Sequence, residues 1–245
     1  MRLGVVADVH ANWPALEAVL ADLPPVDALV CAGDVVGYGP QPAACVAALR
    51  EWEGPLLAVQ GNHDRAVAAG ADLGDGMAAA GVRHARAELD ADALAWLDDL
   101  PAVRTALDGH LRVAHGHPAD PDRYVYPSLF DDSLLDSERV LVLGHTHVQA
   151  SEVFERPTWA GTERRVVLNP GSVGQPRDRD PDAAYATVLL DDSGSDATAD
   201  VAERPPGSGP AVTLHRVSYD VERTVRAVHE AGLPSSAGER LRKGV

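Results

Sequence analysis

The sequence predicts an α/β protein, and three observations predict it. Strand-like apolar runs alternate with helix-periodic segments through the first third of the chain. The last three strand-like runs follow one another with no helical period between them. Five of the runs stop at Asp, Asn or His, which sets a cluster of polar side chains at the carboxyl ends of strands.

The elements follow in order. RLGVVA (2–7) is a first strand. In PALEAVLADL (14–23), Leu16, Val19, Leu20 and Leu23 recur at helical spacing, with Asn12 ahead as a cap. ALVCA (28–32) is a second strand, PAACVAALREW (42–52) reads as a helix, and PLLAV (55–59) is a third strand. A βαβαβ order implies parallel strands joined by helical crossovers. Residues 66–88, rich in Ala, Gly and Asp, receive no element. DADALAWLDDL (90–100) is a helix that stops at Pro101, and LRVA (111–114) and RVLVL (139–143) are strands. RVVL (165–168), YATVLL (185–190) and VTLHRVS (212–218) lack intervening helices, so the second half is expected to pair antiparallel. Residues 191–210 are polar and aperiodic and read as a long hairpin connection. DVERTVRAVHEAG (220–232) closes the chain as a helix with Val221, Val225 and Val228 on one face, ended by Gly232 and Pro234. No internal repeat is present, and one domain is expected over 1–245.

Composition narrows the function. The chain has 245 residues, is 45% hydrophobic and carries a formal charge of -16, with Lys243 its single lysine. Such a surface repels polyanions, which argues against a protein that holds nucleic acid by neutralising phosphates. It also suits a salt-rich, halophilic cytoplasm. The two cysteines, Cys31 and Cys45, lie in apolar contexts and are expected in the core. No basic segment followed by an apolar one precedes the first strand, and no 18-residue apolar run occurs. A soluble cytoplasmic protein without a membrane partner is therefore expected.

The strand ends carry the chemistry. Asp8 and His10 follow the first strand, Asp34 the second, and Asn62, His63 and Asp64 the third. His115 and His117 follow LRVA, and His145 and His147 follow RVLVL. In an open α/β sheet such ends converge, so distant stretches can share one site. Any one of these residues alone is more often a turn former or a surface side chain. Yet six of the ten histidines, His10, His63, His115, His117, His145 and His147, sit in these five ends. Read as extended backbone, the i, i+2 pairs Asp8/His10 and His145/His147 would each point to one side and present two ligands together. Gly33, Gly61, Gly116 and Gly144 would let the backbone approach an ion closely.

The blocks DVH, GDVVGYG, GNHD, AHGH and GHTH, in that order, resemble the calcineurin-like metallophosphoesterase superfamily. The resemblance is strongest to its small single-domain prokaryotic phosphodiesterases of the diadenosine-tetraphosphatase-like branch. It continues through NPGSVGQPR (169–177) and GLPSSAGERLRKG (232–244), so it spans nearly the whole chain. It implies two stacked mixed β-sheets flanked by helices, a four-layer αββα sandwich, around a dinuclear metal centre. By resemblance, Asp8, His10 and His147 hold one metal, Asn62, His115 and His145 the other, and Asp34 bridges them. Oxygen and imidazole donors without thiolate suit two divalent ions, manganese first, with iron, zinc, nickel or cobalt as alternatives. Such ions sit ~3.5–4 Å apart and clamp an in-line displacement. Two divalent cations less two carboxylates leave the pocket positive in an anionic protein. A metal-bridging hydroxide would attack phosphorus, and His63 resembles the residue that protonates the leaving oxygen. Asp64 either orients that imidazole or caps the following helix.

Three features stay open at this level. His117 could touch substrate, support His115 or face solvent. NPGSVGQPR could offer backbone amides and Arg177 as an anion nest, or be a tight loop. HPADPDRYVYP (117–127) brings Arg123, Tyr124 and Tyr126 close to His115, either to stack a base or as packing. His84, His110, His215 and His229 have no motif context. The expected activity is hydrolysis of small phosphodiesters or nucleotides. Alternatives are a phosphomonoesterase, a dinucleoside polyphosphate hydrolase, or a non-catalytic metal-binding interaction module, and homo-oligomers are compatible with all of them.

Overall fold

The computed structural model describes residues 1–159, 161–190 and 209–245. Its strands are β1 (Arg2–Val6), β2 (Ala28–Cys31), β3 (Leu56–Ala58), β4 (Val103–Ala106), β5 (Leu111–Ala114), β6 (Val140–Val142), β7 (Ala150–Thr158), β8 (Gly161–Asn169), β9 (Ala183–Leu189) and β10 (Ala211–Val217). Its helices are α1 (Trp13–Asp22), α2 (Pro42–Arg50), α3 (Asn62–Ala69), α4 (Met77–Glu88), α5 (Ala91–Asp99), α6 (Val221–Glu230) and α7 (Ser235–Glu239). The strands form two five-stranded mixed sheets, ordered β10-β9-β1-β2-β3 and β4-β5-β6-β8-β7.

Period-two alternation builds the layers. Leu3 and Val5 of β1, Ala28 and Val30 of β2, and Ala186 and Val188 of β9 face Leu111, Val113, Val140, Val142, Val166 and Leu168 across the sheet-to-sheet core. On the opposite face of the first sheet, Val6, Leu29, Cys31 and Tyr185 pack against Leu16, Val19, Cys45, Leu49, Val82 and Leu97 of α1, α2, α4 and α5. Both cysteines are buried in that layer, as their contexts predict. Outside the second sheet the covering layer is thin. Leu141, Leu143 and Val167 meet Val125, Phe130 and Leu135, from a segment with two 3-10 turns, Pro127–Leu129 and Asp132–Leu134.

Besides β4, which the sequence reading did not place, the chain departs from that reading in four places. First, antiparallel pairing in the second half holds for β9 with β1 and β10, and for β7 with β8. However, β6 pairs parallel to both β5 and β8. The reversing strand β7 lets β8 return parallel to β6 without a helix. Second, β7 itself escaped notice because it is an exposed, charged edge strand with no apolar alternation. Third, residues 66–88 supply the end of α3 and all of α4, whose Gly81 permits close contact. A Cβ there would stand 2.1 Å from the Tyr38 nitrogen. Fourth, α7 follows the closing helix unanticipated. Of the hairpin connection expected over 191–210, residues 191–208 lie outside the described residues. Asn12 caps α1 as predicted, accepting from Ala15 N at 3.4 Å. Among the described residues no helix is long and apolar enough to cross a membrane.

Candidate metal centre

Both sheets turn the carboxyl ends of parallel strands toward one place. Asp8 and His10 follow β1, Asp34 follows β2, Asn62 opens α3 after β3, His115 follows β5, and His145 and His147 follow β6. The loops are tied together before any ligand is considered. Asp8 N donates to Gly33 O and His10 N to Asp34 O, both at 3.0 Å. Gly144 N donates to His115 O at 2.8 Å. The Asp8 carboxylate accepts from His145 N at 3.0 Å, joining the first sheet to the second.

Two groups of candidate donors result, all buried. Asp8, His10 and His147 form one, and Asp34, His115 and His145 the other; within each, the donor atoms lie within 4.8 Å of one another. Asp34 Oδ2 reaches both, at 3.7 Å from His10 Nε2 and 3.3 Å from His115 Nε2. Asp8 Oδ1 lies 3.3 Å from His147 Nε2.

The local backbone differs from the extended geometry expected. Asp8, His10, Asp34, His145 and His147 all have positive φ, between 46° and 69°. Left-handed conformation is unusual for such side chains and clusters where the surroundings over-determine it. His145 and His147 belong to different groups rather than pointing together, whereas Asp8 and His10 share one. Glycines do provide close approach. A Cβ on Gly61 would stand 2.0 Å from Asp34 Oδ1, and one on Gly37 would stand 2.4 Å from His63 Nδ1.

The imidazole hydrogen bonds fix which nitrogens face inward. Nδ1 of His10, His115 and His147 meets a carbonyl, of Val36 at 3.1 Å, Ala32 at 2.7 Å and Gln175 at 2.6 Å. A carbonyl only accepts, so each Nδ1 carries a proton and each ring turns its Nε2 inward, as a lone pair in His10 and His147, which burial keeps neutral. His145 reverses the pattern, with Nε2 at 3.2 Å from Asp122 O. Two inward lone pairs, those of His10 and His147, then face each other at 3.1 Å. Asn62 Oδ1 and His115 Nε2 are buried with no hydrogen-bond partner. Facing acceptors and buried ligand atoms without a hydrogen-bond partner fit a cation, and each ring's carbonyl partner is the support that metal-binding histidines take.

The charge states of His10, His145, His147 and Asp34 agree. Burial, opposed by His115 and reinforced by Asp34, raises the Asp8 carboxyl to about 7. Burial acts upward on Asp34 too, but His115 and His63 outweigh it and hold that carboxyl well below the usual range. Burial takes His10 and His147 well below 6.5, and together with His115 it lowers His145 to about 4. His115 is the exception: burial acts downward, yet Asp34 carries it to about 10. A divalent ion requires neutral imidazoles and ionised carboxylates, so its binding would displace a proton from His115 and from the Asp8 carboxyl.

His63 sits at the cavity wall. Its backbone N–H donates to Asp34 Oδ1 at 2.8 Å, and its ring lies edge-on to His10 at 5.0 Å. Its Nδ1 is buried without a partner. The hydrogen bonds of Asp64 run to backbone N–H groups. Asp64 Oδ2 accepts from Asp34 N at 2.8 Å and Gly61 N at 3.0 Å, while Oδ1 accepts from Val36 N at 3.1 Å. It caps α3 and clamps the Asp34 loop, the second of the two roles its sequence context allowed.

The remaining features resolve as follows. NPGSVGQPR is a bracing loop rather than a nest of free amides. Val173 N and Gly174 N donate to Ala7 O and Asp8 O, Gln175 N to Ser172 Oγ, and Arg177 N to His147 O. His117 Nδ1 accepts from Ala119 N at 3.1 Å, a turn contact that occupies that nitrogen locally. Tyr38, not weighed from the sequence although it lies in GDVVGYG, packs on His63 at 4.5 Å and on His10 at 4.9 Å. Arg177 lies over the Tyr38 ring, 5.9 Å from its centroid.

Comparison with known proteins agrees with this geometry. Residues 1–193 match the calcineurin-like phosphoesterase superfamily domain. A crystal structure of a metallophosphoesterase from Sphaerobacter thermophilus is 34% identical with a TM-score of 0.77, covering 100% of this chain and 99% of that one. An uncharacterized protein of Methanocaldococcus jannaschii is 29% identical over 254 residues, 98% of this chain and 96% of that protein. A hypothetical protein from Pyrococcus horikoshii shares the fold, with a TM-score of 0.73 at 19% identity, covering 100% of this chain and 98% of that one.

Proposed function

The chain belongs to the calcineurin-like phosphoesterase superfamily, and from that premise we propose that it is a metal-dependent hydrolase of small phosphodiesters or nucleotides. The observation that carries the reading is the pair of buried His/Asp groups joined across Asp34, with imidazole lone pairs turned inward. Asp8, His10 and His147 would hold one divalent ion and Asn62, His115 and His145 a second, with Asp34 serving both. Ions held there supply Lewis acidity, lowering the pKa of water toward neutrality and neutralising charge on phosphoryl oxygens.

The chain's own groups do the rest. Asp64 and Gly61 fix the loop that presents Asp34. His63 holds the proton for the leaving oxygen. Burial lowers its pKa, with Asp34 acting the other way, which favours the neutral ring; its role as an acid therefore requires the negative charge of a bound phosphoryl group to draw a proton onto it. General acid catalysis of this kind contributes roughly 100- to 10,000-fold.

The test is a panel of bis(4-nitrophenyl) phosphate, 4-nitrophenyl phosphate and a dinucleotide with manganese, iron, zinc, nickel or cobalt at high salt. Metal-dependent turnover, fastest on a diester or nucleotide, is expected. Absence of turnover with every metal, while the ions bind, would leave a non-catalytic metal-binding module.

A further inference from the structure

The segment after His115 carries aromatic surface that packing does not require. Val125 is 4% exposed and enters the cluster of Phe130, Leu141 and Leu143. Alternation along extended backbone therefore sends Tyr124 and Tyr126 to the opposite side, where they are 42% and 48% exposed. Tyr124 stacks on the His145 ring, with centroids 3.8 Å apart and planes at 16°. Tyr126 lies nearly parallel to Tyr124, at 5.8 Å and 13°. The result is a set of aligned rings leading from a candidate ligand out to solvent. Tyr185, by contrast, is 1% exposed, and its hydroxyl bonds Asp22 at 2.7 Å.

The platform is rigid. Pro127 restricts Tyr126 to extended backbone, where it is found at φ -69°, ψ 156°. The preceding turn is pinned by Asp122, whose carbonyl meets His145 Nε2 and whose carboxylate meets Arg65 of α3. Arg177 lies over the Tyr38 ring, which packs on His10 and His63, and it opposes the rise that burial gives the Tyr124 pKa, so one cation adjoins both rings.

We propose that Tyr124 and Tyr126, with Arg177 beside them, form the subsite for the non-leaving group of the substrate, and that the group they select is a nucleoside. This rests on the phosphoesterase reading above. With phosphorus over the His/Asp groups, the Arg177 guanidinium takes a phosphoryl or linking oxygen and the base lies on the tyrosine faces. Arginine pairs well with phosphate oxygens, and base–aromatic stacking tolerates any base because every base has a π-face.

The experiment compares two diesters with the same leaving group and the same charge, the 4-nitrophenyl esters of thymidine 5′-phosphate and of methyl phosphate, on the manganese-loaded enzyme. The nucleoside ester is expected to be preferred in kcat/KM by about 5- to 150-fold, chiefly through KM. Tyr126→Ala and Tyr126→Leu should both collapse that ratio, and Tyr126→Phe should keep it. Equal kcat/KM for the two esters in the wild-type enzyme, or a ratio unmoved by Tyr126→Ala and Tyr126→Leu, would overturn the subsite while leaving the phosphoesterase reading intact. Failure to hydrolyse either ester with any metal would remove that reading and this inference with it.

Discussion

Replacing Asp64 by Asn separates a clamp from a partner of His63. The carboxylate accepts three buried backbone N–H groups, two on Oδ2 from Asp34 and Gly61 and one on Oδ1 from Val36. An Asn that keeps its oxygen on the Oδ2 side turns its NH2 toward the Val36 N–H, so one amide loses its acceptor. A buried unsatisfied group costs about 1–3 kcal/mol. For a chain of this size each kcal/mol shifts Tm by about 2–4 °C, which gives a fall of about 2–12 °C. Releasing Val36 also loosens the loop holding Asp34, whose Oδ2 reaches both donor groups. The expected result is a lower melting temperature in chelator and fewer bound ions after metal loading, with turnover falling in proportion to occupancy. Thermal unfolding followed by circular dichroism and elemental analysis of the loaded protein measure both. A variant with wild-type Tm and full metal content but reduced kcat would refute the clamp and restore Asp64 as a partner of His63.

Three further outcomes are expected. His63→Ala should lower kcat by roughly 100- to 10,000-fold with metal content nearly unchanged, and joint loss of metal and turnover would show that its role is not acid catalysis. Gly61→Ala places a methyl 2.0 Å from Asp34 Oδ1 and 2.3 Å from Asp34 N. Asp34 has to move, so depletion of metal by elemental analysis is expected, and a fully loaded, active variant would contradict the close-approach argument. With a formal charge of -16, activity should fall as KCl is reduced from about 1 M to about 0.1 M, because the screening length grows from about 3 Å to about 10 Å. A flat salt profile would remove the halophilic expectation.

The parts of this structure legible in the sequence are those with local signals. The strands β1, β2, β5, β6 and β9 are buried apolar runs, and α1 and α6 announce themselves through Asn12 and a valine stripe. The site was legible because its residues follow those strands directly, and parallel strands bring such ends together. What stayed hidden depends on tertiary context. Edge strand β7 has no buried face for a period to mark, and α4 is alanine-rich, with Gly81 accommodating the Tyr38 loop. The left-handed backbone at Asp8, His10, Asp34, His145 and His147 has only a weak signature in residue type, since Asp and His are enriched there but mostly adopt other conformations. His145 and His147 go to different groups, which alternation alone could not foresee. The amides of NPGSVGQPR looked free in the sequence only because their acceptors, Ala7 O, Asp8 O and His147 O, lie far away along the chain.

The central claim is most directly tested by the anomalous scattering of crystals soaked in manganese, combined with the metal count per chain in solution. Two ions per chain are predicted, one within bonding distance of Asp8, His10 and His147, one within that of Asn62, His115 and His145, with Asp34 touching both. A cavity that takes up no ion, or ions bound elsewhere while these side chains bond only to one another, would contradict the account.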